Sequence, residues 1–259
     1  MPSVCEICGV EHPPHEEYEE GEMRVLITTY PKTGTNLIIQ MFGNPVHIQI
    51  SHNALYAGAG VNSTAKTAGN NLKFQDMAKQ IRDFPGVAFG HIPYNNVFFE
   101  AMMAHPTTLI QLVRDPRDVI VSHYYHIREK PEAAFNHVFQ DGIKLADKPD
   151  PMMELIKLSP SRWERFTPWM EHSLLVKYED LRTNPHREAA RMIDKVGEAD
   201  MSQWGLINPT KMVNRIRPQN SPTFRKGGTG DWRIEFNREH VAKYEELMKD
   251  IHEELGYEL

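Results

Sequence analysis

The sequence lacks the features that would place it in a membrane or send it out of the cell. No apolar run reaches the ~20 residues that a helix needs to cross a bilayer. The first 22 residues contain seven glutamates and have neither the basic nor the apolar region of a signal peptide. These absences lead us to expect a cytoplasmic protein.

Cysteine is almost absent, and the two cysteines, Cys5 and Cys8, both lie in the acidic N-terminal stretch. Two thiols three residues apart before a glycine resemble half of a zinc knuckle, and His12 and His15 could complete a tetrahedral site. Free reduced thiols are the alternative, because a zinc knuckle usually contains two such cysteine pairs and this chain has only one. A structural disulfide is less favoured in the compartment that we expect.

An excess of positive charge is missing as well. The net charge of -6 argues against general nucleic-acid binding, so clustered basic residues should form a local anion pocket. With 40% hydrophobic and 25% charged residues, the chain has the composition of a globular protein and the length to bury one core. We predict an acidic extension over residues 1–22 and a single domain over residues 23–259.

Segments that are typical of strands alternate with segments of helical periodicity. Strands are predicted at residues 23–30, 86–90, 107–114 and 173–178. Helices are predicted at residues 36–43, 73–83, 94–104, 116–130, 185–196 and 236–255. This alternation favours an α/β fold with a P-loop-like parallel sheet that is flanked by helices on both faces. Ligands bind such sheets beyond the carboxyl ends of the strands.

The end of the first predicted strand has the composition of a phosphate-binding loop. Pro31 ends the strand, and Gly34 allows a tight turn before the next helix. Backbone N–H groups and a helix N-terminus then point at one spot, which favours an anion. The side chains that would contact the anion are the Lys32 ammonium, the Thr33 and Thr35 hydroxyls and the Asn36 amide.

The order of residues in this loop narrows the class of phosphate site. In a Walker A loop the lysine follows the second glycine, and the next Ser or Thr binds magnesium. Here Lys32 precedes the single Gly34, which argues against an ordinary ATPase or kinase. The loop resembles the PKSGTT-type loop of the sulfotransferase family, which holds the 5'-phosphosulfate of 3'-phosphoadenosine 5'-phosphosulfate (PAPS). A plain connection between a strand and a helix is the alternative.

A second segment delivers Arg114 at the end of an apolar strand, and Asp115 and Pro116 are typical of the start of a helix. Ser122 lies two turns into that helix. A guanidinium and a hydroxyl so placed could grip a phosphate. The segment resembles the RxPxDxxVS motif of the same family, whose Arg and Ser hold the 3'-phosphate of the cofactor. A pairing of Arg114 with Asp118 is the alternative.

The third segment lies near the C-terminus and begins with two adjacent cations, Arg225 and Lys226, followed by Gly227. The glycines of this loop let its backbone approach a ligand closely. The segment resembles the RKGxxGDW motif of the family, in which the Arg, the Lys and the first Gly close over the 3'-phosphate. Three matches in the same chain order extend the resemblance to sulfotransferases over most of the chain.

His91 is the candidate general base. It ends a short apolar strand and precedes Ile92 and Pro93. A neutral imidazole can accept a proton at physiological pH, because the unperturbed pKa of histidine is about 6.5. The position resembles the THxP segment of the family, whose histidine is the base. A structural histidine is the alternative, since the chain has 13 histidines.

The resemblance implies in-line transfer of a sulfuryl group from PAPS to an oxygen or nitrogen nucleophile, which leaves adenosine 3',5'-bisphosphate (PAP). It implies that His91 takes the proton of the nucleophile and that Lys32 stabilises charge on the bridging oxygen. Ser122 would bond Lys32 until an acceptor arrives, and backbone amides near Gly34 and Thr35 would hold the 5'-phosphate. No protein-bound metal is required, since cations and loop dipoles supply the positive field.

The chain departs from the family in adenine recognition and in dimerisation. The stacking tryptophan of the family corresponds to Leu37. Tyr178 resembles the tyrosine that reaches the adenine, with a half-buried strand-end tyrosine as the alternative, and Phe224 could stack on the base. The segment after Trp232 lacks the Thr-Val core of the KxxxTVxxxE dimer motif, so the oligomeric state stays open.

The acceptor is expected to be a phenol, an alcohol or an amine of modest size, with a sugar or a protein tyrosine as alternatives. His47, His52 and Tyr56 are candidate acceptor-side residues. A set of apolar side chains could line an adaptable pocket or pack in the core: Phe98, Phe99, Met102, Met103, Met152 and Met153. A P-loop kinase that needs Mg2+ and ATP, and a non-catalytic binder of the bisphosphate, are the other two classes.

Overall fold

Parallel strands form a central sheet whose carboxyl ends carry the candidate site. The computed structural model describes residues 3–4, 11–12, 24–43, 47–49, 86–104, 106–129, 145–217 and 226–259, and every structural statement below refers to these residues. The strands are β1 (Ser3–Val4), β2 (Glu11–His12), β3 (Arg24–Thr29), β4 (His47–Gln49), β5 (Gly86–Gly90), β6 (Thr107–Val113) and β7 (Leu174–Lys177). The central sheet has the order β4-β5-β3-β6-β7, and every neighbouring pair is parallel.

Helices follow most of these strands. The described α-helices are α1 (Thr35–Phe42), α2 (Asn96–Met103), α3 (Pro116–Glu129), α4 (Pro151–Trp163), α5 (Tyr178–Thr183), α6 (Pro185–Val196), α7 (Glu198–Gln203), α8 (Pro209–Val213), α9 (Trp232–Glu235) and α10 (Arg238–Glu254). Two short 3-10 helices span Leu145–Asp147 and Thr167–Glu171.

The central strand β3 is covered on both sides of the sheet. All six of its residues are buried, as expected for a parallel strand between two helical layers. Val25 and Ile27 pack in the core that contains α1 and α6, whereas Leu26 packs in the core that contains α2. Successive side chains of a strand point to opposite faces, so this division places helices on both faces. A further apolar cluster joins α3, α4 and α10.

The α/β fold predicted from the sequence is confirmed. The four predicted strands agree with β3, β5, β6 and β7 to within one residue at each end. The predicted helices agree with α1, α2, α3, α6 and α10 to within two residues, and the helix predicted at 73–83 lies outside the described residues. Sequence periodicity misses β4 because three residues are too few to show a pattern.

Helix α4 was also not predicted from the sequence, because it begins at Pro151 and contains Pro160. Proline is compatible with the first helical position, and the Asp150 side chain caps the helix by accepting the Met153 N–H at 2.9 Å. Met152 is buried in the cluster between α3, α4 and α10. The methionine at this position therefore packs in the core, which is one of the two alternatives that the sequence left open. Phe98 and Met102 likewise pack in the core around Leu26.

In the predicted N-terminal extension, β1 and β2 form a two-stranded antiparallel ribbon. Cys5, Cys8 and His15 lie outside the described residues, as does the side chain of His12. Zinc binding by these residues therefore stays a prediction. The described helices include none that is both long and apolar enough to cross a bilayer.

Candidate active site

The strand ends bring the candidate residues to one edge of the sheet. Tyr30 directly follows β3, His91 follows β5, Arg114 follows β6 and Tyr178 follows β7. These four strands are parallel neighbours, so their carboxyl ends meet at the same edge. The structure thereby confirms that these four residues lie at the carboxyl edge of the sheet, as the sequence predicted.

The loop between β3 and α1 uses two left-handed backbone conformations. Gly34 has a φ of 104°, and Lys32 has a φ of 71°, which is uncommon for a residue with a Cβ. Gly34 is the N-cap of α1, and no side-chain hydrogen bond caps this helix end in the described structure. The positive end of the helix dipole thus lies at the loop that carries Lys32.

Thr33 corrects one expectation about this loop. Its hydroxyl was expected to contact the anion, but it donates to the Tyr30 carbonyl at 2.7 Å, and the residue is fully buried. The Thr33 N–H bonds the same carbonyl at 3.3 Å. Thr33 therefore holds the turn, whereas Lys32, Thr35 and Asn36 are partly exposed.

Gly34 is packed against Tyr178, and we expect Gly34→Ala to damage the loop. A Cβ at Gly34 would lie 2.5 Å from Cδ2 of Tyr178, and the φ of 104° is unfavourable for alanine. We expect the free energy of unfolding to fall by about 2–4 kcal/mol, the sum of left-handed backbone strain and overpacking. Urea denaturation would measure this loss.

Gly205→Ala is a matched control for Gly34→Ala. Gly205 also has a positive φ, of 66°, but no atom lies within 4 Å of the position of an added Cβ. This variant should lose only the backbone contribution, about 1–2 kcal/mol. Equal losses in the two variants would show that the Tyr178 ring does not restrict the loop.

Arg114 connects two segments that are distant in the sequence. Its Nη1 donates to the Lys32 carbonyl at 3.3 Å, and its Nη2 donates to the Gly228 carbonyl at 2.9 Å. Its guanidinium carbon lies 4.6 Å from the centroid of the Tyr178 ring. The Nε of Arg114 is buried and has no hydrogen-bond partner in the described structure. The side chain therefore joins both predicted phosphate loops and retains one buried donor.

The alternative interpretation of Arg114, a pairing with Asp118, does not describe the observed hydrogen bonds. The Asp118 carboxylate instead accepts the N–H groups of Gly230 and Trp232. Asp115 does cap α3 as expected, because its Oδ1 accepts the Arg117 N–H at 2.9 Å. Ser122 lies half-buried on the same helix.

Part of the third motif is described, and we call residues 226–232 the C-terminal loop. Lys226 is exposed, and Gly227 has a positive φ of 65°. Phe224 and Arg225 lie outside the described residues. The contact between Arg114 and Gly228 places this loop next to the loop that carries Lys32.

His91 contacts Thr29 through its Nδ1 atom. Its Nδ1 lies 3.1 Å from the Thr29 carbonyl oxygen and 2.7 Å from the Thr29 hydroxyl oxygen. A carbonyl only accepts, so the tautomer protonated at Nδ1 donates to it and carries its lone pair on Nε2, whereas the Thr29 hydroxyl can donate to Nδ1 in the other tautomer. The Thr29 hydroxyl lies 2.9 Å from the Thr35 hydroxyl, which links the histidine to the phosphate loop. The tautomer protonated at Nδ1 has the form that a general base needs.

Two residues that contact His91 or its neighbour Ile92 were not found from the sequence. Thr29 was read only as part of a buried strand, although its hydroxyl contacts both His91 and Thr35. Trp169 is fully buried, and its indole N–H donates to the carbonyl of Ile92 at 2.9 Å. These contacts join residues far apart in the chain, so no local pattern indicates them.

His123 is expected to make the stability of the folded protein depend on pH. Burial lowers its pKa well below the ordinary value of 6.5, and the nearby charges of Lys32 and Arg162 lower it further. The unfolded chain therefore takes up a proton below pH ~6.5 that the folded His123 does not accept. We expect the free energy of unfolding to be highest above this pH and to fall as the pH decreases, by up to about 1.4 kcal/mol per pH unit for this group.

Urea denaturation at several pH values between 5 and 8 would measure this dependence in the wild type and in His123→Gln. Glutamine keeps a polar side chain and does not titrate, so the variant should show a shallower loss of stability at low pH. Burial also lowers the pKa of His252, which leaves part of the slope in the variant. Parallel curves for the two proteins would contradict the assignment to His123.

Comparison with known proteins identifies the family. Residues 22–256 match the family described as "Sulfotransferase domain". Sulfotransferase 2A6 of Rattus norvegicus is 23% identical over 263 residues, which cover 88% of this chain and 84% of the relative. The 3-beta-hydroxysteroid sulfotransferase of Cavia porcellus is 25% identical over 267 residues, which cover 90% of this chain and 84% of the relative.

Solved structures show the same fold. Mouse sulfotransferase SULT7A1, complexed with PAP, aligns with a TM-score of 0.54 and 17% identity over 91% of this chain and 88% of the mouse chain. Retinol dehydratase, in a complex with retinol and PAP, aligns with a TM-score of 0.53 and 16% identity over 89% of this chain and 81% of that chain.

The sheet, the strand-end residues and the family match together define the class of protein. The chain belongs to the sulfotransferase domain family. It is a PAPS-dependent sulfotransferase, an enzyme that transfers a sulfuryl group from PAPS to a small-molecule acceptor.

Proposed function

We propose that PAPS binds along the edge formed by the ends of β3, β6 and β7. Its 5'-phosphosulfate would lie on the loop that carries Lys32, and its 3'-phosphate would lie between α3 and the C-terminal loop. The observation that carries this proposal is the Arg114 guanidinium, which bonds the carbonyls of Lys32 and Gly228 and so holds the two loops together.

Features of the described structure fit a doubly phosphorylated nucleotide. The buried Nε of Arg114 has no partner, and a buried donor that belongs to a cation suits an anion. The N-terminus of α1 has no side-chain cap and opens onto the same loop. Ser122 and Lys226 offer a hydroxyl and an ammonium for the 3'-phosphate. Arg225 and Gly227 are proposed for the same phosphate from the motif that they share with the family.

The remaining cofactor contacts are proposed from the same motifs. Gly34 and Thr35 would offer backbone N–H groups to the 5'-phosphate, and Asn36 would offer its amide. Tyr178 would support the adenine side of the site, because its ring already packs on Gly34 and under Arg114. Phe224 would stack on the base. Leu37 stands where the family has a tryptophan and would give at most an aliphatic contact.

The proposed mechanism assigns a separate task to each catalytic residue. PAPS supplies the sulfuryl group and the bisphosphate leaving group. His91 accepts the proton of the acceptor hydroxyl or amine at Nε2, in the tautomer whose Nδ1–H donates to the Thr29 carbonyl. Lys32 stabilises the negative charge that develops on the bridging oxygen. Ser122 would bond Lys32 before an acceptor is bound.

A small molecule with a hydroxyl group is the proposed acceptor, and an amine is the second choice. The name of the Cavia porcellus relative refers to a hydroxysteroid, which is an alcohol, and this supports a hydroxyl acceptor. His47, His52 and Tyr56 remain candidate acceptor-side residues, and their side chains lie outside the described part of the chain. The cytoplasmic location and the zinc site likewise remain predictions.

Transfer of labelled sulfate from PAPS to a library of alcohols, phenols and amines tests the proposal. The wild type should label at least one class of acceptor and release PAP in equal amount. A protein that binds PAP tightly but labels none of the acceptors would be a non-catalytic binder. Labelling of amines alone would replace the hydroxyl with the second choice of acceptor.

A further inference from the structure

The C-terminal loop is attached to α3 by one carboxylate. Oδ2 of Asp118 accepts the Gly230 N–H at 2.6 Å, and Oδ1 accepts the Trp232 N–H at 3.2 Å. Asp118 is 1% exposed, so its charge is almost completely removed from water. Each carboxylate oxygen thus has a backbone donor, and both donors belong to the same loop.

Burial of this carboxylate needs compensation. An isolated charge in a protein interior is strongly destabilising unless it is hydrogen-bonded. Burial raises the pKa of Asp118, while the N–H groups of Gly230 and Trp232 and the nearby Arg114 charge oppose this rise by stabilising the carboxylate. The loop and the carboxylate therefore stabilise one another, and either is unfavourable without the other.

The placement of Asp118 on α3 connects this attachment to the cofactor site. Asp118 and Ser122 are four residues apart on one helix, so their side chains lie on the same face. The Ser122 side chain therefore lies one helical turn from the carboxylate that holds the C-terminal loop. Nearer the start of the loop, Arg114 donates to the Gly228 carbonyl. Lys226 and Gly227 directly precede this anchored residue.

A second contact secures the same end of the loop. The Arg117 guanidinium carbon lies 4.0 Å from the centroid of the Trp232 ring, and Arg117 is paired with Asp115 at 2.8 Å. The indole is thus held by stacking, while the Trp232 N–H is held by Asp118. Loss of Asp118 would free the backbone of residues 230–232 without removing this stacking.

We propose that Asp118 is a positioning residue for recognition of the 3'-phosphate. Its carboxylate fixes the C-terminal loop against α3, so that Lys226 and Gly227 face the phosphate that Ser122 also contacts. Asp118 itself does not contact the nucleotide. This inference rests on the proposed binding of PAPS at this edge of the sheet.

Calorimetric titration with two nucleotides tests the inference. The dissociation constants for PAP and for adenosine 5'-monophosphate are measured for the wild type and for Asp118→Asn, which has nearly the same shape. The asparagine side chain has one oxygen that accepts a hydrogen bond, so one of the two backbone N–H groups would face its NH2 group and lose its acceptor. We expect affinity for PAP to fall roughly 10- to 100-fold, since hydrogen bonds to a charged group are worth about 1.5–3 kcal/mol. Affinity for the monophosphate should not change.

Asp194→Asn is the matched control. Asp194 is exposed on α6, so the same chemical change there should leave both affinities as in the wild type. Equal weakening of both nucleotides in Asp118→Asn would overturn the inference, because it would indicate a general structural role. A retained preference for PAP in this variant would also overturn it. A wild type without preference for PAP would overturn the proposed function, and this inference with it.

Hydrogen exchange of the wild type provides a test that does not depend on a variant that folds. The Gly230 and Trp232 amides should exchange slowly, and PAP should slow them further, whereas adenosine 5'-monophosphate should not. Fast exchange of both amides in the free protein would contradict the attachment to Asp118. Equal protection by the two nucleotides would contradict its link to the 3'-phosphate.

Discussion

Replacing His91 with alanine is expected to lower the turnover number for sulfuryl transfer by a factor of about 10²–10⁴, the usual range for loss of a general base. In the tautomer whose Nδ1–H donates to the Thr29 carbonyl, Nε2 is the atom that accepts the proton. The affinity for PAP should not change, because no cofactor contact is assigned to His91. Steady-state kinetics and calorimetry would measure the two quantities.

His186→Ala is the control for this variant, since His186 is exposed at the start of α6. It should retain the turnover of the wild type. A His91→Ala protein with undiminished turnover would show that another group is the base, even though the family assignment would stand. A parallel loss of PAP affinity would instead indicate that the loop of residues 30–34 depends on His91 through Thr29 and Thr35.

Replacing Lys32 with alanine is expected to lower turnover by a factor of about 10²–10³, the usual loss when one group that stabilises charge in the transition state is removed. Binding of PAP should weaken much less, because the charge on the bridging oxygen develops only as the S–O bond breaks. Steady-state kinetics at saturating PAPS would separate these effects.

The backbone of Lys32 suggests a second variant at the same position. Its φ of 71° lies in the left-handed region, which asparagine tolerates better than alanine. Lys32→Asn should therefore fold at least as well as Lys32→Ala and lose turnover to a similar extent. Recovery of turnover in Lys32→Asn would show that the alanine variant failed through its backbone. The exposed Lys195 provides a charge-matched control as Lys195→Ala.

The elements that carry the site could be predicted because each has a local signature. Buried parallel strands appear as short apolar runs, and the strands that end before Tyr30, His91, Arg114 and Tyr178 were placed to within one residue. The loop residues follow from the requirements of phosphate binding, which are cations, glycine and a helix N-terminus. Residue types near strand ends therefore indicated the edge of the sheet at which we propose that the nucleotide binds.

The partners of these residues could not be predicted, since they are distant in the chain. Asp118 and Gly230 are 112 positions apart, and nothing around either residue indicates the other. Competition from the backbone is a second reason. The Thr33 hydroxyl lies next to a lysine and a glycine and is therefore suited to bind an anion, but it donates to the Tyr30 carbonyl within the turn instead. Composition shows which groups are available, whereas the fold decides which of them reach the ligand.

Calorimetric titration of the wild type with PAP and with ATP tests the central claim most directly, because only a site with two phosphate loops favours a nucleotide that is phosphorylated at both ends of the ribose. We predict that PAP binds without Mg2+ and more tightly than ATP with Mg2+. Tighter binding of ATP, dependent on Mg2+, would contradict the assignment and indicate a kinase-type site.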